Sequence, residues 1–277
     1  MKHHRKTSNN EKNIRMGGLK FYCIYSMEHL QTKSRGRTNF HMGKLYTLSI
    51  EKEMLEKFKD IHLTGIIVKN LKVKSINPNF FEPYISGLNE LYKQQDVTEN
   101  EEVKKWRNIY KEMGLKPSKY HCSFESILRR YLKGFNFLGI NNVVDSYNSV
   151  SLLHQKCIGG YDLDKIQNKI TLRFAKEGET CLPIGASEPI SLSKNSVVYA
   201  DEEKVLCSYW NYRDSEYTKI TENTKNSIFF IDEIDATPKK GKNAIKDLAN
   251  LLKDTCDAQI IYQFELSNEY PTNYFEV

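Results

Sequence analysis

The segment Gly139–Leu153, GINNVVDSYNSVSLL, constrains this chain more than any other. Ile140, Val143, Val144, Tyr147 and Val150 recur at i, i+3, i+4, i+7 and i+10, the spacing of one buried helix face. Between them stand Asn141, Asn142, Asp145, Ser146, Asn148, Ser149 and Ser151, where a solvated helix would carry Lys, Glu, Gln or Arg. Short polar side chains compete with a helix by bonding to nearby backbone, so they weaken it unless they have partners. Asn141, Asp145 and Asn148, at i, i+4 and i+7, share one side. They either fix neighbouring backbone or line a pocket.

The elements around this helix set the fold class. HLTGIIVKNLKV (62–73) reads as a strand, with Ile66, Val68, Leu71 and Val73 pairing early in a sheet. Thr98 and Glu101 form a T-x-x-E capping box for a helix carrying Val103, Trp106, Ile109, Tyr110 and Met113, which stops at Gly114. Ser123 caps a second helix, and Asn141 or Asn142 caps the third. A β-rich half follows. NKITLRFA (168–175) alternates as a half-buried strand, a hairpin turns at Asp201–Lys204, and SIFFIDEI (227–234) is a continuous apolar run typical of a central strand. A last helix (243–255) and the strand QIIYQFEL complete the pattern. This order predicts a mixed α/β (α+β) fold over residues 48–277, one domain with a mixed sheet flanked by helices.

Residues 1–47 stand apart, with ten Lys or Arg against two acids and four of the seven histidines. They read as a basic disordered arm, which could grip phosphates through counterion release, or as a misassigned leader before Met42. The remaining 230 residues hold 31 basic and 33 acidic side chains, so the overall +6 comes from the arm and the body is neutral. Bulk charge therefore gives the body no nucleic-acid signature. No run approaches the ~18 apolar residues of a membrane span. Six scattered cysteines without a C-x-x-C pair read as reduced thiols of a cytoplasmic protein, not as a disulfide or zinc framework.

Generic catalytic motifs are missing: no phosphate loop, dinucleotide fingerprint, H-E-x-x-H or G-x-S-x-G occurs. PKKGK (238–242) is only a basic turn, and His62, His121 and His154 sit beside no obvious nucleophile. Neither a metal nor a cofactor is expected. Three polar constellations remain: the Asn141/Asp145/Asn148 stripe, Arg173 with Glu179, and the crowded stretch 209–224 with Asn211, Arg213, Asp214 and Thr218.

These constellations fall inside a larger pattern. Ile140-Asn141-Asn142, Val144-Asp145, Asn148, Val150 and Leu152, then Tyr161-Asp162-Leu163-Asp164-Lys165, then Arg173, Ala175, Gly178 and Glu179, and last Thr224 and Asn226 follow one another over about residues 120–235. This succession resembles the B3/B4-type tRNA-binding and editing module of the phenylalanyl-tRNA synthetase beta subunit, especially its free-standing relatives. The resemblance implies an α/β fold that binds the 3′ end of an aminoacyl-tRNA and hydrolyses a wrong ester in trans. Asp145 and Arg173 of these blocks, together with Asp214 of the crowded stretch, are the catalytic candidates; Asn141, Asn142, Asn148, Asp162 and Glu179 of the blocks, with Asn211, Arg213 and Thr218 of that stretch, are the candidates for binding substrate. A non-catalytic tRNA- or small-ligand-binding module is the alternative. Two departures stand out: Gly159 replaces a histidine common in the synthetase module, and Trp210–Asp214 replaces the turn bearing its selecting glutamate. Class II aminoacylation motifs are absent, so the chain is not expected to charge tRNA.

Overall fold

A computed structural model describes residues 43–277, apart from 94, 135 and 236–239. Of the expected 1–47 arm, residues 1–42 lie outside the described residues, as does the start of the PKKGK turn, while residues 45–47 belong to a strand of the folded body, so the body reaches further toward the N-terminus than residue 48. The strands run β1 (Leu45–Ile50), β2 (Ile61–Lys69), β3 (Cys157–Asp162), β4 (Lys169–Phe174), β5 (Thr180–Cys181), β6 (Ile190–Ser191), β7 (Val197–Ala200), β8 (Val205–Ser208), β9 (Arg213–Asp214), β10 (Ser227–Ile234), β11 (Gln259–Ser267) and β12 (Thr272–Glu276). The helices are α1 (Lys52–Lys57), α2 (Glu82–Ile85), α3 (Leu88–Leu91), α4 (Glu101–Glu112), α5 (Ser123–Leu132), α6 (Asn142–His154) and α7 (Lys240–Cys256).

The mixed α/β class is as expected, but the strands divide into two large sheets instead of one. One sheet has the order β12-β1-β4-β7-β8-β9 and is mixed, because β1 and β4 run parallel. The other, β11-β2-β10-β3, is antiparallel throughout. The apolar run 227–234 is indeed central, buried between β2 and β3. Its alternation sorts the layers. Phe229 packs against Tyr147 of α6, whereas Phe230 packs against Tyr199 of β7, so α6 lies on one face of the antiparallel sheet and the mixed sheet on the other.

Local capping differs from the expected pattern in two places. Asn100, not Thr98, caps α4, its Oδ1 accepting from the Glu102 and Val103 N–H groups. The Cys122 sulfur, not Ser123, accepts the Glu125 N–H at the start of α5. Asn100 stands directly before Glu101, the first residue of α4, two residues closer than Thr98, and Cys122 stands directly before Ser123, which is already the first residue of α5. Strand β2 stops at Asn70, whose φ of 59° breaks the run before Leu71 and Val73 can join the sheet. Strand β1 alternates Tyr46, Leu48 and Ile50 with Thr47 and Ser49 and pairs with β12, whose sequence has no such alternation.

The unusual composition of α6 follows from its position. Val143, Val144, Val150 and Leu152 are buried as expected, but so are Asn142, Asp145, Ser146, Asn148, Ser149 and Ser151. Of the expected buried face, Ile140 is 61% exposed and outside the helix, and Tyr147 is half-buried. A helix buried over most of its surface has little room for long charged chains, and each polar group it buries needs a partner. Ser146, Ser149 and Ser151 donate to the carbonyls of Asn142, Asp145 and Lys156. Asn142 donates to the Lys72 and Thr255 carbonyls, both at 2.8 Å, and accepts from the Lys74 N–H at 2.9 Å. Just beyond the helix, buried Lys156 pairs with Glu102 of α4 and Glu233 of β10, both at 3.0 Å.

Candidate functional site

A cavity of about 30 Å³ opens between the two sheets. The mixed sheet contributes Tyr199, Cys207 and Asp214, and the antiparallel sheet contributes Ile158, Gly159, Tyr161, Phe230 and Asp232. Ser123, Trp210, Asn211 and Tyr212 complete the wall. A space of this size holds one water and its polar lining can bind it.

The loop between β8 and β9 aims its residues by strain. Tyr209 and Trp210 both take left-handed backbone, with φ of 50° and 70°, which costs non-glycine residues of order 1–3 kcal/mol each. The turn sends Trp210 into the core, against Phe58 and Trp106, and leaves Asn211 facing Asp232. Asn211 Nδ2 donates to Asp232 Oδ2 at 3.0 Å, and Tyr110 Oη donates to Asn211 Oδ1 at 3.0 Å. Tyr199 Oη donates to Asp232 Oδ1 at 2.5 Å.

The cavity thus holds two carboxyls without a buried cation. Burial raises Asp232 to about 7; hydrogen bonds from Tyr199 and Asn211 hold it lower, and the charge of Asp214 adds to the rise. Burial likewise raises Asp214 to about 6, opposed by hydrogen bonds from Cys207 and Tyr161 and by the Arg213 charge. Around neutral pH the pair therefore holds one ionised member and one partly protonated member, the arrangement that separates base from acid.

This pair makes stability depend on pH. An unfolded Asp titrates near 3.9, so between about 4 and 7 the folded protein holds protons that the unfolded chain has lost. Stability therefore falls as pH rises through that window and levels off above it. Asp232→Asn, which can keep both hydrogen bonds by reversing the Tyr199 contact, should flatten the profile and stabilise the protein at pH 8 by up to about 4 kcal/mol. Urea unfolding at pH 5 and pH 8 measures both effects; equal wild-type stability at the two pH values would contradict the raised carboxyls.

Of the residues singled out in the sequence, Asn211 and Asp214 line the cavity, and Arg213 lies next to it with its side chain exposed. The others do not line it. Asn141 Oδ1 caps α6 through the Val143 and Val144 N–H groups. Asp145 accepts from the Gly139 and Ile140 N–H groups at 2.8 and 3.1 Å, and Asn148 Nδ2 donates to the Phe137 carbonyl at 3.4 Å. Arg173 and Glu179 form a bidentate pair at 2.6 and 2.8 Å, and Glu179 also accepts the Lys176 N–H, locking the turn around Gly178. Asp162 accepts from Thr224 Oγ1 at 2.7 Å, and Asn226 donates to Asp164, which ties two separate sequence blocks together. Thr218 is fully buried on a short turn. Asp145→Ala should leave two N–H groups unpaired and cost about 1–3 kcal/mol in urea unfolding, with the Asp214 cavity unchanged.

Asp232, Tyr161 and Tyr199 were not singled out as site residues. One signal pointed to Asp232: it is an acid inside a continuous apolar run, and a charge there must be paired or protonated. Gly159 has room for a side chain; a Cβ there would meet Tyr161 Oη at 3.5 Å and Asp214 Oδ1 at 4.0 Å.

The fold and site define a helix-backed, two-sheet α/β protein with a paired-carboxyl cavity between its sheets. The chain matches the B3/4 domain family over residues 105–257 of 277, and it belongs to that family. It is similar to phenylalanine–tRNA ligase beta subunits: 27% identical over 121 residues to that of Fusobacterium nucleatum, covering 44% of this chain and 15% of the relative. The Aquifex aeolicus subunit is 31% identical over 131 residues, covering 47% of this chain and 16% of the relative. The Pectobacterium atrosepticum subunit is 29% identical over 101 residues, 36% of this chain and 12% of the relative. The chain thus matches less than a fifth of the length of these curated relatives. An N-terminal fragment of the Pyrococcus horikoshii phenylalanyl-tRNA synthetase beta subunit aligns with a TM-score of 0.43 at 14% identity, covering 80% of this chain and 55% of that one. No described helix is long and apolar enough to cross a membrane.

Proposed function

We propose that the protein hydrolyses the ester of a mischarged aminoacyl-tRNA, with a water held beside Asp214 as nucleophile. The observation that carries this reading is the water-sized cavity holding two carboxyls raised to about 6 and 7. Every residue lining it falls inside the segment that matches the family. Ionised Asp214 takes a proton from the water, whose oxygen attacks the ester carbonyl. The carbonyl–ribose bond then breaks, and the ribose oxygen takes up a proton, leaving free amino acid and free tRNA. Asp232, held by Tyr199 and Asn211, keeps its proton longer and so limits repulsion at the floor. An aminoacyl ester is already activated, so orienting one water and one carbonyl supplies much of the rate.

The test is to incubate the full chain with a panel of mischarged aminoacyl-tRNAs and follow loss of the ester. One class of ester should be cleaved faster than its spontaneous rate, with activity rising through about pH 6 as Asp214 ionises. tRNA binding without cleavage of any ester would reject catalysis and leave a binding module.

A further inference from the structure

A second pocket, of about 380 Å³, lies at one end of the antiparallel sheet and shares no lining residue with the Asp214 cavity. That volume is enough for a small molecule. Four carboxylates, Asp60, Asp235, Glu265 and Glu269, line it against one lysine, Lys59. Lys242 pairs with Glu265 at 2.9 Å and Lys105 with Asp235 at 3.6 Å, whereas Asp60 and Glu269 join no ion pair among the described residues. No three His, Cys, Asp or Glu side chains among the described residues are placed to hold a metal ion. Carboxylates that do not converge on one ion match a cation whose charges are themselves set apart.

The inner wall carries polar atoms without partners. His62 lines the pocket with its side chain only 13% exposed, and its buried Nε2 makes no hydrogen bond; Glu265 Oε2 stands off at 3.7 Å. Glu233 stands opposite His62 and Glu265 opposite Thr64 in the strand pairings, so all four side chains share one face of the sheet. Glu233 Oε2 and Thr64 Oγ1 are fully buried and also unpartnered. Buried polar atoms normally have partners, so three orphans side by side mark a wall made to meet a donor. Burial pushes the His62 pKa below its usual value; the Glu265 and Glu233 charges oppose this and that of Lys242 adds to it. The ring is therefore neutral near pH 7, and Nε2 can accept a hydrogen bond.

We infer that this pocket binds an aliphatic polyamine, with one ammonium donating to His62 Nε2 beside Glu265 and a second meeting Asp60 and Glu269 at the rim. An ammonium brings N–H donors for the orphaned acceptors and positive charge for the carboxylates in one group. Methylene spacers keep the charges apart, and Tyr270, 63% exposed at the rim, offers them an apolar and cation-binding ring. The site is independent of the hydrolytic reading, since neither set of residues touches the other's pocket.

The test titrates the isotopically labelled full chain with spermidine, butylamine and magnesium chloride at matched ionic strength, followed by NMR and calorimetry. Spermidine should bind saturably at one site, shifting the signals of residues 59–62 and 265–270, and butylamine should bind at least tenfold more weakly. His62→Gln should weaken spermidine binding about tenfold. Glu269→Gln and Asp60→Asn, both at exposed positions where folding is not at stake, should each weaken it two- to fivefold. Unsaturable shifts spread over the surface, equal affinity for butylamine, or unchanged affinity in both carboxylate variants would overturn the site. Tighter binding of magnesium to the same residues would replace the polyamine with a metal ion.

Discussion

Asp214→Asn should lower the rate of ester hydrolysis by about 10²–10⁴-fold, the range expected when a general base is removed, while making the folded protein more stable near pH 8. The amide has the carboxylate's shape, so the wall formed with Cys207 and Tyr161 remains, but it cannot accept a proton from water. The stability gain follows from the raised carboxyl. Wild-type Asp214, at about 6 in the fold, must ionise in a desolvated site above that pH, and the neutral amide avoids this cost. About 1–3 kcal/mol should be recovered in urea unfolding at pH 8, and nothing at pH 4, where both forms are neutral. Loss of activity together with a gain in stability is the mark of a functional strain. Loss of both would make Asp214 structural, and loss of neither would remove the hydrolytic role. The wild-type rate should also rise through about pH 6, and the residual rate of the variant should not.

Gly65→Ala should destabilise the protein by about 3 kcal/mol or more. Gly65 sits on β2 between Phe230 of β10 and Phe264 of β11. A Cβ there would fall 2.1 Å from Phe264 Cζ and 2.2 Å from the Phe229 carbonyl oxygen. One contact is with backbone, so rotating a side chain cannot relieve it. Without a side chain at 65, the Phe264 ring crosses the strand and packs against Phe230 at 5.2 Å, beneath the cavity. The alanine variant must move β10, which carries Asp232, so the raised titration near 7 should shift along with the loss of stability. Gly87→Ala, with nothing within 4 Å of its added carbon, is the control and should change stability by less than about 0.5 kcal/mol. Chemical denaturation of the two variants side by side decides the matter.

Much of the fold was readable from local chemistry. The period of α6 and α7, the hairpin at Asp201–Lys204 and the apolar run of β10 each carry their own signal over a few residues. Strand β12 did not, because it takes its order from β1, a partner more than 200 residues away, and β-propensity is largely a statement about such partners. The capping box at Thr98 misled because three acceptors, Asp96, Thr98 and Asn100, compete within five residues, and only backbone geometry selects Asn100.

The site divides along the same line. Sequence alone determined that Asn141, Asp145 and Asn148 need partners, since short polar groups without them would weaken the helix carrying them. Whether those partners were ligand or backbone was not a local property. The tertiary structure decided it: Asn141, Asp145 and Asn148 hold backbone, Asp162 and Arg173 each hold another side chain, and the cavity gathers Asp214 from one sheet and Asp232 from another. Burial sets the protonation of that pair, and burial depends on two sheets closing over residues far apart in the chain, which no window of sequence contains.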